Sequence, residues 1–99
     1  LSYSLNFSLV FFIIYGKLLN ESNQRYYKLY YEENFTLQEI ADLEHVSKSY
    51  IGNIIKKTSE KLREYESLMH IYENRKMLSD VLLTEDINKI KETIKKVLE

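Results

Sequence analysis

The sequence predicts an all-α fold: a small helical bundle that contains a helix-turn-helix, with a long helix and a C-terminal helical arm. Three observations favour this fold. The 99 residues include no Pro and only two Gly, so little interrupts a helix and few tight β-turns can form. Helix-capping residues recur along the chain. Apolar residues follow helical spacing over its second half. We place the helix-turn-helix domain at residues 1–70 and the arm, for packing or dimerisation, at 71–99.

The first helix is predicted from about Leu5 to Leu19. It contains the apolar run Leu9 to Tyr15, which stops at Gly16 and is too short for the roughly 20 residues that span a bilayer. Neither a basic n-region nor a small-residue cleavage site accompanies it. We therefore expect a buried helix and no membrane insertion, with a truncated or atypical N-terminus as the alternative.

The second helix is predicted to begin after Asn20 and to end near Glu33, where Asn34 can adopt the left-handed conformation that ends a helix. Its tyrosines stand four residues apart in pairs. Such rings can stack on unpaired bases, but at this spacing they more often line the edge of a core. We favour the core for both pairs: Tyr26 with Tyr30, and Tyr27 with Tyr31.

The third helix starts at a capping box, because Thr36 and Glu39 can satisfy each other's backbone N–H groups, and it lasts to about Leu43. Ser47 is the next N-cap. From it a long helix carries one apolar stripe, at positions 51, 54, 55, 58, 62, 65, 69 and 72.

The pattern weakens between Asn74 and Asp80, and Thr84 is predicted to cap a last helix. The apolar seam of that helix has alternating three- and four-residue steps: Ile87, Ile90, Ile94 and Val97. A narrow seam of this kind suits pairing with another helix. It favours self-association, although the seams could instead pack within one chain as an antiparallel hairpin.

The stretch from Leu37 to Lys57 has the spacing of a helix-turn-helix: a two-turn helix, a four-residue corner and a second helix that can enter a major groove. The small side chain of Ala41 allows the two helices to approach closely. His45 stands at the corner, where Gly is common, and is interpreted as a tolerated left-handed residue. The predicted apolar wedge between the helices comprises Ile40, Leu43, Val46, Ile51, Ile54 and Ile55.

The second helix of this motif is the main electrostatic feature of the chain. Net charge is −1, yet residues 47–63 carry five basic residues and one acidic residue. Lysines there can meet phosphates, and Ser and Asn can hydrogen-bond base edges. A solvated helix face would look similar, but the basic stretch begins where the motif places its recognition helix. The predicted DNA-binding residues are Lys48, Ser49, Tyr50, Gly52, Asn53, Lys56 and Lys57.

The number of phosphate contacts that one chain can make is small. Three to five contacts correspond to a salt slope of only about −3 to −4.5. Because one such module rarely reaches specific affinity alone, we expect a homodimer that presents two motifs to neighbouring half-sites.

Enzyme chemistry is not predicted. The chain has no Cys, which fits a reducing compartment such as the cytoplasm. Glu66, His70 and Glu73 have a spacing that could hold a metal, but no second His is near and surface neighbours are the favoured interpretation. No phosphate loop or nucleophile triad is present in the sequence. We expect no catalytic residues, no metal and no cofactor.

Several blocks between residues 13 and 69 resemble the YlxM-like family of small bacterial helix-turn-helix proteins. The blocks are Tyr15-Gly16-Lys17-Leu18-Leu19, Gln24-Arg25-Tyr26-Tyr27, Leu29-Tyr30-Tyr31-Glu32-Glu33, Leu37-Gln38-Glu39-Ile40-Ala41, Val46-Ser47, Lys56-Lys57-Thr58 and Glu64-Tyr65-Glu66. The family is similar to the promoter-binding region four of sigma factors. Its genes tend to neighbour those of the signal recognition particle. The resemblance therefore implies a regulator linked to protein targeting, with components of that particle as possible partners.

This sequence departs from the family at the recognition helix. Where the family usually shows Val-Ser-Arg-Gln-Ala-Val, Lys48, Ser49 and Tyr50 replace Arg, Gln and Ala, and His45 replaces the corner Gly. Phosphate binding can be carried over, whereas a DNA sequence preference cannot. Two rival hypotheses remain: a protein- or RNA-binding adaptor of the same pathway whose motif no longer reads DNA, and a purely structural association module.

Overall fold

The computed structural model describes residues 5–99, which form six α-helices and a 3₁₀ turn. The described residues contain no strand, so the predicted all-α fold is confirmed. The first four residues of the predicted 1–70 domain lie outside the described part. The helices are α1 (Leu5–Tyr15), α2 (Glu21–Tyr31), α3 (Leu37–Glu44), α4 (Lys48–Met69), α5 (Ile71–Val81) and α6 (Ile87–Leu98).

The first helix ends earlier than the pattern predicts. The chain tightens into a 3₁₀ turn over Gly16–Leu18, and the Leu19 N–H donates to the carbonyl of Gly16 at 3.0 Å. Gly16 lies against the ring of Phe12, where an added Cβ would stand only 3.1 Å from ring carbons. The turn lets the chain reverse into α2 beside α1.

Helix α4 is the centre of the bundle, and α1, α2 and α3 all pack against it. Its predicted stripe is buried at Ile51, Ile55, Thr58 and Leu62. The other helices and their connections complete a continuous core with side chains that are mostly aromatic: Phe11, Tyr15, Leu19, Tyr26, Tyr27, Ile40 and Ala41. The second-helix tyrosines thus belong to the core, and the rings of Tyr27 and Tyr31 lie 4.5 Å apart.

The caps predicted for the first half of the chain are confirmed. The side chains of Asn20 and Ser47 each accept a hydrogen bond from the backbone N–H three residues on, at 2.8 and 3.1 Å. Thr36 and Glu39 form the reciprocal capping box, at 2.9 and 3.1 Å. Asn34 has a φ of 58° and follows the end of α2. These local signals fix where α2, α3 and α4 begin.

The prediction of one unbroken stripe through position 72 is wrong. Helix α4 ends at Met69, His70 adopts the left-handed conformation, and α5 begins at Ile71. Tyr72 nevertheless continues the apolar face, since its ring packs edge-on against Phe7 and Phe11 of α1. A break of one residue therefore redirects the chain while the apolar spacing is kept.

The interpretation of Glu66 as a surface residue is also wrong. Its side chain is buried, with one oxygen accepting from the Tyr15 hydroxyl at 2.5 Å and from the Tyr72 N–H at 2.9 Å. The other oxygen accepts from the Glu73 N–H at 3.1 Å. A carboxylate at this position satisfies N–H groups that a helix start leaves unpaired. Glu66 therefore caps α5 in place of His70, whose side chain makes no capping bond to α5.

The N-cap of the last helix lies two residues later than predicted. Asp86, not Thr84, is the N-cap of α6, and its carboxylate accepts from the N–H groups of Asn88 and Lys89 at 3.0 and 3.3 Å. Thr84 instead accepts from the Asp86 N–H at 3.2 Å. Asp86 rather than Thr84 caps α6 because an ionised carboxylate forms stronger hydrogen bonds with backbone N–H groups than a hydroxyl does.

Helices α5 and α6 pack against each other as an antiparallel hairpin, which is the arrangement left open beside self-association. The hairpin touches the bundle mainly through α5, which meets α1 and the end of α4. The described chain is consequently elongated, at 57 × 23 × 22 Å. Its radius of gyration is 17.2 Å, against about 13 Å for a compact domain of this length.

Candidate nucleic-acid interface

The corner between α3 and α4 is built on one left-handed residue. His45 has φ 59° and ψ 42°, as predicted for the corner position, and is exposed. The carbonyl of Ala41 accepts the N–H groups of His45 and Val46, the latter at 3.0 Å, which closes the end of α3. Ser47 then starts α4. Two helices joined this way form a helix-turn-helix corner.

Only part of the predicted wedge lies between the two helices. Its members Ile40, Ile51 and Ile55 are buried, as is the small residue Ala41 beside them. Leu43 is instead 55% exposed and Val46 36% exposed, so their assignment to the wedge is wrong.

The inward position on the last turn of α3 belongs to Glu44. At 100° per residue, Glu44 lies close to Ile40 and Ala41 on the helix face, while Leu43 points away. The Glu44 carboxylate pairs with the guanidinium of Arg25 on α2. That guanidinium also lies 5.2 Å from the centre of the Tyr26 ring. An ion pair between helices therefore holds the end of α3, and helical spacing does not reveal it.

Six of the seven predicted DNA-binding side chains lie exposed on α4, and we call them the basic ridge: Lys48, Ser49, Tyr50, Asn53, Lys56 and Lys57. Among residues 5–99, none of its three lysines forms an ion pair with a carboxylate. Ser49 lies 3.3 Å from Ser47, oxygen to oxygen. The structure thus brings six predicted residues together on the surface, with lysines at both ends.

Gly52, the seventh predicted residue, is placed differently. It is half-buried and turns toward α3, where an added Cβ would stand 3.6 Å from a methyl carbon of Leu37. That distance is an ordinary van der Waals contact, and the φ of Gly52 is not positive. Its packing surface is α3, so it lies at the border of the basic ridge.

The group of Glu66, His70 and Glu73 brings three possible metal ligands within 4.8 Å of one another. Both carboxylate oxygens of Glu66 already accept hydrogen bonds from Tyr15 and from the start of α5. His70 Nδ1 lies 3.0 Å from a carboxylate oxygen of Glu73. The donor set therefore fits a helix cap better than a metal centre.

Burial changes the acidity of a core tyrosine in this region. The pKa of Tyr15 is raised to about 12, first because its hydroxyl is desolvated and second because it donates to the Glu66 carboxylate. The neutral phenol is thus the form that supports α5. One sequence signal could have revealed that Glu66 is buried. It follows the buried Leu62 by four residues and therefore lies on the same face of α4.

A family model relates this chain to known proteins. A model described as "Putative helix-turn-helix protein, YlxM / p13 like", also called UPF0122, matches residues 5–99. The chain belongs to the UPF0122 family. This membership confirms the resemblance read from the sequence blocks, and it agrees with the corner that His45 builds.

Curated relatives in several bacteria carry the UPF0122 name. A "Probable UPF0122 protein" of Mycoplasma mycoides is 33% identical over 81 residues, which cover 82% of this chain and 72% of that protein. A relative in Exiguobacterium sibiricum is 38% identical over 76 residues, covering 74% and 72%. One in Ureaplasma urealyticum is 37% identical over 68 residues, covering 69% of each.

The apolar run of the first helix lies in α1, which has 11 residues. Within residues 5–99, no helix combines the length and the hydropathy needed to cross a bilayer.

Proposed function

We propose that this chain is a cytoplasmic DNA-binding regulator that contacts duplex DNA through the basic ridge. The observation that carries the proposal is the exposure of all six ridge side chains on the helix that follows the corner. A helix in this position reads the major groove through its N-terminal residues. The ridge therefore supplies the positive charge that a chain of net charge −1 otherwise lacks.

The ridge residues divide by chemistry into two roles. Lys48, Lys56 and Lys57 meet phosphates and set the position of the helix on the duplex. Ser49 and Asn53 can donate and accept hydrogen bonds at base edges. Tyr50 offers an exposed ring beside them, which can contact a thymine methyl group or a sugar.

A salt series tests the proposal directly. Binding of a labelled duplex is followed by fluorescence anisotropy between about 50 and 200 mM salt, where three to five phosphate contacts give a slope of about −3 to −4.5 per chain. In the variant Lys56→Glu/Lys57→Glu, two contacts are lost and binding weakens at every salt concentration. The slope also falls by about two, because each lost contact removes roughly 0.9 from it.

The matched control is Lys89→Glu/Lys91→Glu on α6, which changes net charge by the same amount at exposed positions away from the ridge. Its slope should equal that of the wild type. If wild type and both variants bind equally, or if none binds at low salt, the ridge is not a DNA-binding surface.

We propose in addition that regulation is linked to protein targeting by the signal recognition particle, as the family resemblance implies. A second candidate function, an adaptor that binds protein or RNA of that pathway, draws support from Leu43 and Val46. These apolar side chains are exposed at the corner beside the ridge, and exposed apolar patches are typical of protein interfaces. Binding of a signal recognition particle component that Leu43→Lys abolishes, without duplex binding, would favour the adaptor.

We further propose that DNA is bound by a homodimer. One chain offers few phosphate contacts, whereas two chains on neighbouring half-sites would double them.

A further inference from the structure

The corner between α3 and α4 has few side chains that face the bundle. Ala41 and Ile51 are buried, and of the nine residues between them, 42–50, all are exposed except Glu44. The side chain of Glu44 is only 19% exposed. Apolar packing therefore holds the corner at its two ends, and Glu44 is the point between them at which a side chain turns inward.

The Glu44 carboxylate meets a guanidinium that is itself held in place. Arg25 Nε donates to a carboxylate oxygen of Glu44, and the guanidinium carbon lies 5.2 Å from the centre of the Tyr26 ring. Tyr26 is 7% exposed and belongs to the core. A guanidinium suits this arrangement, because it can donate to a carboxylate while its face lies on an aromatic ring. The ion pair thus connects the end of α3 to a fixed point on α2.

The location of Glu44 makes this ion pair important for the start of α4. Glu44 directly precedes His45, whose N–H and that of Val46 both donate to the Ala41 carbonyl. Only three residues separate Glu44 from Lys48, the first residue of the basic ridge. A movement of Glu44 therefore displaces the corner and, with it, the N-terminal end of the ridge.

We infer that Arg25 and Glu44 are positioning residues for the basic ridge. Their ion pair ties the corner to α2, and it holds the first turn of α4 in the orientation that meets duplex DNA. Neither residue belongs to the ridge itself. This role rests on the proposed DNA binding, although the hold on the corner can be measured without DNA.

The sign of the effect separates positioning from simple charge. Glu44 is negative, so if its charge were its only effect, Glu44→Gln would strengthen binding to the phosphates. If the ion pair holds the ridge, the same change weakens binding. Ion pairs near the surface contribute little, and Arg25 is 51% exposed, so we expect a loss of affinity of about three- to fivefold.

A double-mutant cycle tests whether the two residues act as a unit. The dissociation constant for a labelled duplex is measured at one salt concentration for the wild type, Arg25→Gln, Glu44→Gln and the variant with both changes. Each single change should weaken binding, and the double variant should bind no more weakly than either single variant.

Other patterns in this cycle contradict the positioning role. If the two charges act separately, Arg25→Gln weakens binding, Glu44→Gln strengthens it, and the double variant binds like the wild type because its net charge is the same. Opposite signs of this kind, additive losses, or wild-type affinity in all three variants would overturn the inference.

Asp42→Asn is the matched control. It removes one negative charge from an exposed position on the same helix, and the Asp42 carboxylate accepts from Gln38 within α3 at 2.8 Å. Its affinity for the duplex should equal or exceed that of the wild type. If Asp42→Asn weakens binding as much as Glu44→Gln does, the ion pair is not the cause of the loss.

Amide hydrogen exchange measures the hold on the corner without DNA. The Val46 N–H donates to the Ala41 carbonyl at 3.0 Å. It should exchange at least about threefold faster in Glu44→Gln than in the wild type or Asp42→Asn, because local opening becomes easier when the end of α3 is released.

Equal exchange at Val46 in the three proteins would overturn the positioning role whether or not the chain binds DNA. If exchange responds as expected but the wild type binds no duplex at low salt, the proposed function fails, and the role of the ion pair in DNA binding fails with it. The two failures are therefore distinguishable.

Discussion

The backbone of His45 turns from α3 into α4 with positive φ, and this single residue sets the direction in which the basic ridge projects. Left-handed backbone costs a residue with a Cβ roughly 1–2 kcal/mol. His tolerates this conformation better than bulky or β-branched residues do. The corner thus retains its geometry without Gly, with a small loss of stability.

Substitution of His45 tests this balance. His45→Gly should stabilise the fold by roughly 1 kcal/mol, because Gly adopts positive φ without a steric penalty, although its greater freedom in the unfolded chain offsets part of the gain. His45→Ala should give no such gain. Urea denaturation of the three proteins measures the difference. Equal stabilities for the Gly and Ala variants would show that the left-handed conformation is not the source of the cost.

Gly52 offers a test of the border between the ridge and the core. Gly52→Ala should stabilise α4 by roughly 0.5–1 kcal/mol, since Ala is the better helix former and its Cβ meets Leu37 at an ordinary distance. DNA binding should stay at the wild-type level. Thermal unfolding and the anisotropy titration measure the two effects. A loss of stability would contradict this expectation, because it would mean that the added Cβ clashes with Leu37 instead of meeting it at 3.6 Å.

Tyr15 makes stability depend on pH in the alkaline range. Its pKa is raised to about 12 in the folded chain, above the ordinary value of 10.0. The folded state therefore holds the proton that the unfolded state loses, and stability falls as the pH rises from 10 toward 12. Burial also raises the pKa of Tyr27, so two residues contribute to the fall.

The Tyr15→Phe variant separates the two tyrosines. Urea denaturation at pH values between 10 and about 12 should show a shallower loss of stability for Tyr15→Phe than for the wild type. The remaining slope belongs in part to Tyr27. Parallel pH profiles for the two proteins would contradict the assignment to Tyr15.

Among the helices, the beginnings of α2, α3 and α4 could be predicted because their caps are local. Asn20, Thr36 and Ser47 each bond a backbone N–H three residues along the chain, so the sequence contains both partners of each bond in one short stretch. Helical spacing alone predicted the exposed face of α4 at Ser49, Asn53 and Lys56. These features need no knowledge of the tertiary structure.

The sequence predictions fail where the structure of a residue depends on a partner that is distant along the chain. The break at His70 depends on Glu66, whose carboxylate bonds a tyrosine 51 residues earlier in the chain. Glu44 takes an inward position because Arg25, 19 residues earlier, pairs with it. A polar residue on an inward face has no visible partner in the sequence. Spacing therefore assigned Leu43 to the core and treated Glu66 as a surface residue.

The junction between α4 and α5 can be tested at Glu66. Glu66→Gln should destabilise the chain by about 1–3 kcal/mol, because an amide cannot accept from Tyr15, Tyr72 and Glu73 together. Glu64→Gln, at an exposed position on the same helix, is the control. Amide hydrogen exchange should speed up at Tyr72 and Glu73 in the first variant only. Unchanged exchange there would show that the cap does not hold α5.

On the scale of the whole molecule, the chain divides its surfaces between two ends of an elongated shape. The helix-turn-helix and its basic ridge belong to the bundle around α4, while the apolar seam of α6 belongs to the hairpin of α5 and α6. The sequence indicated both features, through the charge of residues 47–63 and the seam from Ile87 to Val97. The sequence alone leaves open whether this seam packs within the chain. In the structure it packs against α5, yet no residue of α6 is fully buried.

The measurement that tests the central claim most directly is a map of backbone amide chemical shifts on addition of a short duplex. If the basic ridge contacts DNA, the largest shift changes lie within residues 48–57 and diminish as salt is raised, while amides of α6 stay nearly unchanged. Changes confined to α5 and α6, or a spectrum that the duplex leaves unaltered at low salt, would contradict the account.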